Sequence, residues 1–272
     1  ITFQNKIDPE LITLLGQGAV DIGMADGTSV IPAVSQGIPV VYGTTVYARF
    51  PNVVFAREDS GIRSVADLAG KRVGIPGRFG SSWVMLQALL ASAGLSSDDV
   101  EIVTYPDFGQ GVAVAEGQVD AAVGFANNEP VQLEVAGIPV VLLRIDEVAP
   151  LPGPGLTVGR ETLAAKGDAV RAFRTATLRA MEDIIADPEV GVAATTEWLP
   201  EIGDDEASLA TQRAVLEATV DSWTSEATEA NGLGYVDPAT WESAIGIMAG
   251  LPDSVVRDGL PVADVIAPGF ES

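Results

Sequence analysis

An α/β fold in two lobes is predicted by three observations on this 272-residue chain. Apolar, strand-like runs alternate with amphipathic stretches from Ala19 to Leu143. One phrase is also written twice, as GQGAVDIGMADGTSVIPAVSQGIPVV (Gly16–Val41) and AEGQVDAAVGFANNEPVQLEVAGIPVV (Ala115–Val141). Each copy holds a Gly-containing turn, an Asp-led apolar run, a polar knot, an amphipathic stretch and GIPVV. Two copies, one in each half, predict a pair of related domains rather than a solenoid. Finally, the chain is too long for one small core and suits two α/β lobes. Residues 1–60 with 148–272 are expected to form the first lobe, and 61–147 the second.

The elements follow in order. Ile1–Phe3 reads as the tail of a strand. Asp8–Leu15 reads as a helix, with Asp8 as N-cap, Pro9 at the first helical position and Gly16 as terminator. Ala19–Asp26 is a buried strand, and Ser29–Gln36 a short helix closed by Gly37. Val40–Tyr47 and Asn52–Ala56 are strands. A helical turn at Ser64–Leu68 precedes the strand RVGIP (Arg72–Pro76). Ser81–Ala93 is a helix capped by serines and stopped by Gly94. Glu101–Tyr105 is a strand and Gly109–Glu116 a short helix, after which the second copy runs to Leu143. Pro150–Gly155 (PLPGPG) is a hinge or crossover, and beyond it the pattern turns helical. Val170, Phe173, Thr177, Ala180, Met181, Ile184 and Ile185 share one face of a helix from Asp168 to Asp187. Helices continue to about Ser254, broken at Pro200, Gly203 and Asn231–Gly234. This order predicts mostly parallel sheets.

Composition narrows the function. Fifteen Lys and Arg face 38 Asp and Glu, a formal net charge of −23. Such a surface repels phosphate backbones and anionic membranes, so no nucleic-acid partner is expected. There is no Cys and no His. Disulfides, thiolate or imidazole metal sites, Cys nucleophiles and His-based triads are thereby excluded. No metal and no cofactor is expected. No apolar run reaches the ~18 residues of a membrane span. Opening on Ile1 in an apolar run, the chain is expected to follow further upstream sequence.

In α/β sheets ligands sit beyond the carboxyl ends of strands. Three loops fit: Asp26-Gly27-Thr28-Ser29, Gly77-Arg78-Phe79-Gly80-Ser81-Ser82 and Phe125-Ala126-Asn127-Asn128-Glu129. The repeat puts the first and third at equivalent points of two lobes, where they are expected to face a common cleft. In PGRFGSS the glycines allow close backbone approach, while Arg78 and Phe79 can hold an anionic edge or stack on a ring. An ordinary strand–helix connection with a serine cap is the plainer reading. Asn127, Asn128 and Glu129 match the polar edge of a pyrimidine-like heterocycle; equally, one Asn can cap a helix that carries Glu129 and Pro130 in its first turn. Tyr42 ends the first GIPVV strand and suits either stacking or core packing. The lysines are Lys6, Lys71 and Lys166, and nothing in the sequence near Lys71 would activate it as a nucleophile.

DSGIRSVADLAGKRVGIPGRFGSS, AEGQVDAAVGFANNEP and QGIPVVYGTTVY together closely resemble bacterial ABC-transporter substrate-binding proteins. Within them the chain looks most like the branch that binds riboflavin and thiamine pyrimidine precursors, a neighbour of the nitrate, sulfonate and taurine binders. The resemblance covers roughly Ile1 to Arg179. It implies a type II periplasmic-binding-protein fold: two α/β lobes, two crossover strands and a ligand enclosed at the hinge. By this resemblance Asp26, Thr28, Ser29, Tyr42, Thr44 and Gly155 would line the first lobe's side. Arg78, Phe79, Gly80, Ser81, Ser82, Phe125, Asn127, Asn128 and Glu129 would line the second. Asp26, Ser29, Arg78, Asn127 and Glu129 would make polar contacts, with Tyr42 and Phe79 stacked on the ligand ring. The implied function is a monomeric extracytoplasmic receptor that passes riboflavin, or a thiamine pyrimidine precursor, to ABC permease subunits. A nitrate or alkyl-sulfonate receptor is the alternative within binding proteins. The same superfamily contains pyrimidine synthases with a Lys-bound cofactor and an essential His, and this chain has no His. The family's usual opening strand and helix, whose loop also lines the cleft, are not found in it.

Overall fold

Both copies of the repeat fold as strand–helix–strand, each led in by a short helix, in the computed structural model, which describes Thr2 and residues 8–203, 205–251 and 254–270. The first copy is α1 (Asp8–Gly16), β1 (Ile22–Ala25), α2 (Gly27–Ser35) and β2 (Val40–Thr45). Next come β3 (Asn52–Arg57), β4 (Arg72–Ile75), α3 (Gly80–Ser92) and β5 (Glu101–Thr104). The second copy is α4 (Gln110–Ala115), β6 (Ala121–Phe125), α5 (Glu129–Val135) and β7 (Val140–Arg144). β8 (Gly155–Gly159) leads into α6 (Arg160–Ala186), α7 (Pro188–Trp198), α8 (Glu206–Trp223), α9 (Glu226–Asn231) and α10 (Pro238–Ala249). Ile1 and Phe3 of the expected strand tail, and the side chain of Asp8 expected to cap α1, lie outside the described residues.

The shared GIPVV has a physical basis. Gly37 and Gly137 take φ of 86° and 78°, a left-handed conformation that spares a Cβ clash and stops α2 and α5. Ile38 and Ile138 then donate back to Ala33 and Leu133, each at 2.9 Å. The Pro39 carbonyl accepts from Arg160 N–H at 2.8 Å, and the Pro139 carbonyl from Glu58 N–H at 2.9 Å. Arg160 and Glu58 are the residues that follow β8 and β3. Each GIPVV is therefore a fixed corner that grips the end of a strand from outside its own repeat.

Those outside strands organise the sheets. The three-stranded sheet has the order β1-β8-β2, and the five-stranded sheet β5-β4-β6-β3-β7. β8 runs antiparallel to both β1 and β2, and β3 antiparallel to both β6 and β7. Among the described strands, β4 with β5 and β4 with β6 pair in parallel. The three-stranded sheet is thus paired antiparallel throughout and the five-stranded sheet is mixed, rather than mostly parallel, because a crossover strand is inserted between the two strands of each repeat. β8 is absent from the sequence reading, which turns helical after Gly155. Its five residues, GLTVG, carry no alternation, since all five are buried. The helix expected from Asp168 begins earlier, at Arg160, and non-helical dihedrals at Lys166 divide it.

The chain divides into two compact units. The first comprises Ile1–Phe50, Ala149–Leu178 and Thr224–Ser272; the second comprises Pro51–Val148 and Arg179–Trp223. This differs from the expected 1–60 with 148–272 against 61–147. Strand β3 is hydrogen-bonded along both edges within the five-stranded sheet, so Pro51 onward belongs to the second unit. Residues from Arg179 to Trp223 join it because α8 packs on α5 and α7. The first unit buries Leu15, Ile31, Val40, Tyr42, Val158 and Trp241; the second buries Val53, Phe55, Val114, Val119, Ala122 and Leu133. No helix among the described residues is long and apolar enough to cross a membrane.

Close backbone approach at the start of β8 demands glycine. A Cβ on Gly155 would lie 2.2 Å from the Thr44 carbonyl oxygen and 2.2 Å from the Tyr42 hydroxyl. Gly155→Ala is therefore expected to destabilise the first unit by about 1–3 kcal/mol, as overpacking does. Urea unfolding followed by circular dichroism measures it.

Candidate ligand-binding site

The second unit gathers polar and aromatic groups at one edge of its sheet. β4, β5 and β6 are parallel, so their carboxyl ends share an edge, and antiparallel β3 begins there with Asn52 opposite Phe125. The loop after β4 carries Gly77, Arg78 and Phe79 into the start of α3, the loop after β5 carries Tyr105–Gly109, and Phe125 ends β6 ahead of the loop 126–128. Helix α3 begins at Gly80 with Phe79 as N-cap and no side-chain capping bond, so Ser81 and Ser82 are not the expected caps. A Cβ on Gly77 would fall 2.2 Å from the Phe79 ring. The ring thus rests against bare backbone while remaining 48% exposed. The exposed Arg78 guanidinium lies 5.2 Å from the Trp83 ring centroid, a cation–π contact.

Glu129 opens α5 and folds back on the end of β6. Its carboxylate accepts from the Phe125 N–H at 2.9 Å and from Gln110 Nε2 at 3.1 Å. Bare glycines make this possible: a Cβ on Gly124 would meet Glu129 Oε2 at 2.8 Å. No cation pairs with Glu129 among the described residues, and burial raises its pKa above the ordinary carboxyl value, against the lowering effect of the Phe125 N–H. Asn127 is 6% exposed and donates from Nδ2 to Thr219 Oγ1 on α8 at 2.7 Å. Asn128 is exposed and accepts from Gln132 Nε2 at 2.7 Å. Neither asparagine caps α5 through its side chain, contrary to the expected cap. The amide oxygens of Asn52, Gln110 and Asn127 are buried without a hydrogen-bond partner among the described residues.

Asn52, Gln110 and Thr219 were missed in the sequence. Asn52 left one signal, an amide opening the otherwise apolar strand NVVFA. Its Nδ2 reaches Ser81 Oγ at 3.5 Å. Gln110 donates to both Glu129 and the Val123 carbonyl, which fixes its amide orientation.

In the first unit, Asp26 caps α2, accepting from Thr28 Oγ1 at 2.6 Å and Ser29 N–H at 3.1 Å. Thr44 is buried, and its hydroxyl accepts from Arg174 Nε at 3.0 Å. Tyr42, which the resemblance would place against a ligand ring, has its ring in the core of the first unit. It is fully buried, its ring 4.6 Å from that of Trp241, and its hydroxyl donates to the Gly153 carbonyl at 3.0 Å. Burial pushes that hydroxyl's pKa upward. Gly155 serves backbone approach, as described above. A shallow recess beside the end of β2 is walled by Thr45, Tyr47, Gly153, Tyr235 and Trp241. Another, mostly apolar, runs between α7 and α8 and reaches Thr219.

The family described as NMT1/THI5 like matches residues 4–190. The chain belongs to that family. It is 38% identical to the riboflavin-binding protein RibY of Chloroflexus aurantiacus, over 88% of this chain and 67% of that protein. It is 33% identical to the 4-amino-5-hydroxymethyl-2-methylpyrimidine phosphate synthase of Legionella pneumophila, over 53% of this chain. There it spans less than half of the relative's length, 45%. Among solved structures, the alkanesulfonate-binding protein SsuA of Xanthomonas axonopodis superposes with a TM-score of 0.66 at 22% identity, covering 92% of this chain and 82% of SsuA. The periplasmic aliphatic sulphonate-binding protein SsuA of Escherichia coli gives 0.60 at 20%, covering 97% and 86%. The fold is that of the periplasmic binding proteins.

Glu129 yields a pH prediction. Its folded pKa is raised, so the stability it contributes is present below the unfolded value and lost as pH rises through the folded one. Relative to Glu129→Gln, the wild-type protein should lose stability as pH rises from the ordinary glutamate range toward neutrality. Denaturant unfolding of both proteins across that range, compared as a difference, checks the sign.

Proposed function

We propose that this chain is the solute-binding component of an ABC importer and captures a small aromatic heterocycle, riboflavin or a thiamine pyrimidine precursor. It acts outside the cytoplasm as a monomer, handing its ligand to permease subunits. Binding rather than catalysis is its role. One observation carries the reading: the polar groups gathered at the end of β6 are acceptors. Among the described residues, the amide oxygens of Asn52, Gln110 and Asn127 lack donors, Glu129 accepts from Phe125 and Gln110 with no cation beside it, and the nearby Arg78 already stacks on Trp83. A nitrate or sulfonate brings only acceptors. A flavin brings a ring N–H and ribityl hydroxyls, and an aminopyrimidine its amino group. The likeness to RibY supports the same choice. The closing motion of such receptors follows from ligand preference for one conformer.

The synthase reading fits the chain less well. Its relatives' Lys-bound cofactor would need a lysine near the loops, with an imidazole to help. Lys166 is ion-paired with Asp21 at 2.7 Å on the surface. Lys71 precedes β4, at the opposite edge of the sheet from the loops. Lys6 lies outside the described residues. No histidine exists in the chain.

Calorimetry and flavin-fluorescence quenching test the proposal, with riboflavin, 4-amino-5-hydroxymethyl-2-methylpyrimidine, ethanesulfonate and nitrate as probes. A heterocycle should bind, and Glu129→Gln should raise its Kd about tenfold, or ~1.4 kcal/mol. Tighter sulfonate or nitrate binding by Glu129→Gln, with no heterocycle bound, would overturn it.

A further inference from the structure

Phe108 is left unexplained by everything above. It lies between β5 and α4, where its N–H donates to the Tyr105 carbonyl at 2.9 Å and its φ is +60°. That left-handed conformation is penalised for a bulky side chain, whose Cβ crowds the backbone. Core packing does not offset the penalty, because Phe108 is 57% exposed. Phe270, the other described non-glycine residue at positive φ, supplies the contrast. It is fully buried, and its ring lies so close to Gly43 that a Cβ there would come within 2.3 Å. Packing holds Phe270 in its strained state. Nor does the turn itself require an aromatic, since Asp107 Oδ1 accepts the Gly109 N–H at 3.3 Å and any residue tolerant of this backbone would serve.

Position supplies the missing reason. β5 lies beside β4 with Thr104 opposite Ile75, and the Tyr105 N–H donates to the Ile75 carbonyl at 2.8 Å. The turn bearing Phe108 therefore leaves the sheet next to the loop bearing Phe79, itself half exposed. Two solvent-facing rings occupy neighbouring loops at the carboxyl edge, alongside the acceptors of β6. Strain held without packing is characteristic of functional positions.

We infer that Phe108 is a ligand-stacking residue which, with Phe79, gives the second unit an aromatic surface for the heterocycle. The inference rests on the heterocycle reading and adds a contact residue to it. Two variants test it. Phe108→Asn keeps a residue that adopts the left-handed backbone readily but removes the ring; Phe108→Tyr keeps the ring. Riboflavin and 4-amino-5-hydroxymethyl-2-methylpyrimidine serve as probes, with thermal unfolding measured in parallel. Phe108→Asn should raise the Kd of the bound heterocycle about tenfold without lowering Tm, whereas Phe108→Tyr should stay within about twofold. A lower Tm with unchanged Kd in Phe108→Asn would make Phe108 a structural residue and overturn the inference alone. Wild-type protein that binds neither probe would overturn the heterocycle reading, and this inference with it.

Discussion

Each sheet depends on a strand that its own repeat does not supply. β1 and β2 never pair with one another; β8 enters between them and satisfies the facing edges of both. β3 does the same for β6 and β7. A backbone edge left unpaired in a buried sheet is costly, so neither repeat can close alone. The GIPVV corner enforces the arrangement, because its proline carbonyl takes the N–H just beyond the inserted strand. Folding of either unit therefore requires segments distant in sequence to meet. In return, the loop after each Asp-led strand is held at a sheet edge whose neighbours are fixed.

Glycine then shapes the groups gathered at these sheet edges. At the end of β6 the missing side chains of Gly111 and Gly124 make room for Glu129 to reach back to its own strand. Without that space the carboxylate would turn to solvent and behave as an ordinary first-turn acid. Gly77 does the same for the Phe79 ring, and Gly155 admits β8 beside Thr44. These are close contacts rather than positive dihedrals, so conformational freedom is not what selects glycine there. Space is.

Much of this was legible in the chain. The repeat revealed itself in plain text, and the strands at Val40, Asn52, Arg72 and Glu101 begin where the apolar runs begin. β8 was not legible: a short, wholly buried strand with glycine at both ends shows neither alternation nor a β-branched run. The loops were found from Gly, Asn and Ser, yet the partners of their side chains were not. Asn127 bonds to Thr219, 92 positions away, and no local pattern encodes a tertiary partner at that distance. For Tyr42 the sequence left stacking and core packing both open, and tertiary structure decides between them: α10 brings Trp241 against the ring and the Gly153 carbonyl accepts from its hydroxyl.

Charge bears on the proposed ligand as well. The chain's few arginines are largely committed to neighbours. Arg57 pairs with Asp59, Arg72 with Asp120, and Arg213 with Glu189. At the sheet edge itself, Arg144 ends β7 beside Val53, and both its Nε and its Nη2 are taken by Asp146. Recruiting such a guanidinium for an anion would strand a carboxylate in an already acidic protein, a loss that the new contact would have to exceed. Glu129 stands in the reverse position: half-buried, short of positive partners and raised in pKa by desolvation. A neutral N–H or O–H donor relieves that cost without bringing an uncompensated charge of its own. An anion would aggravate it. The economy of charge thus supports the ligand class proposed for this edge, through the same carboxylate that the acceptor cluster surrounds.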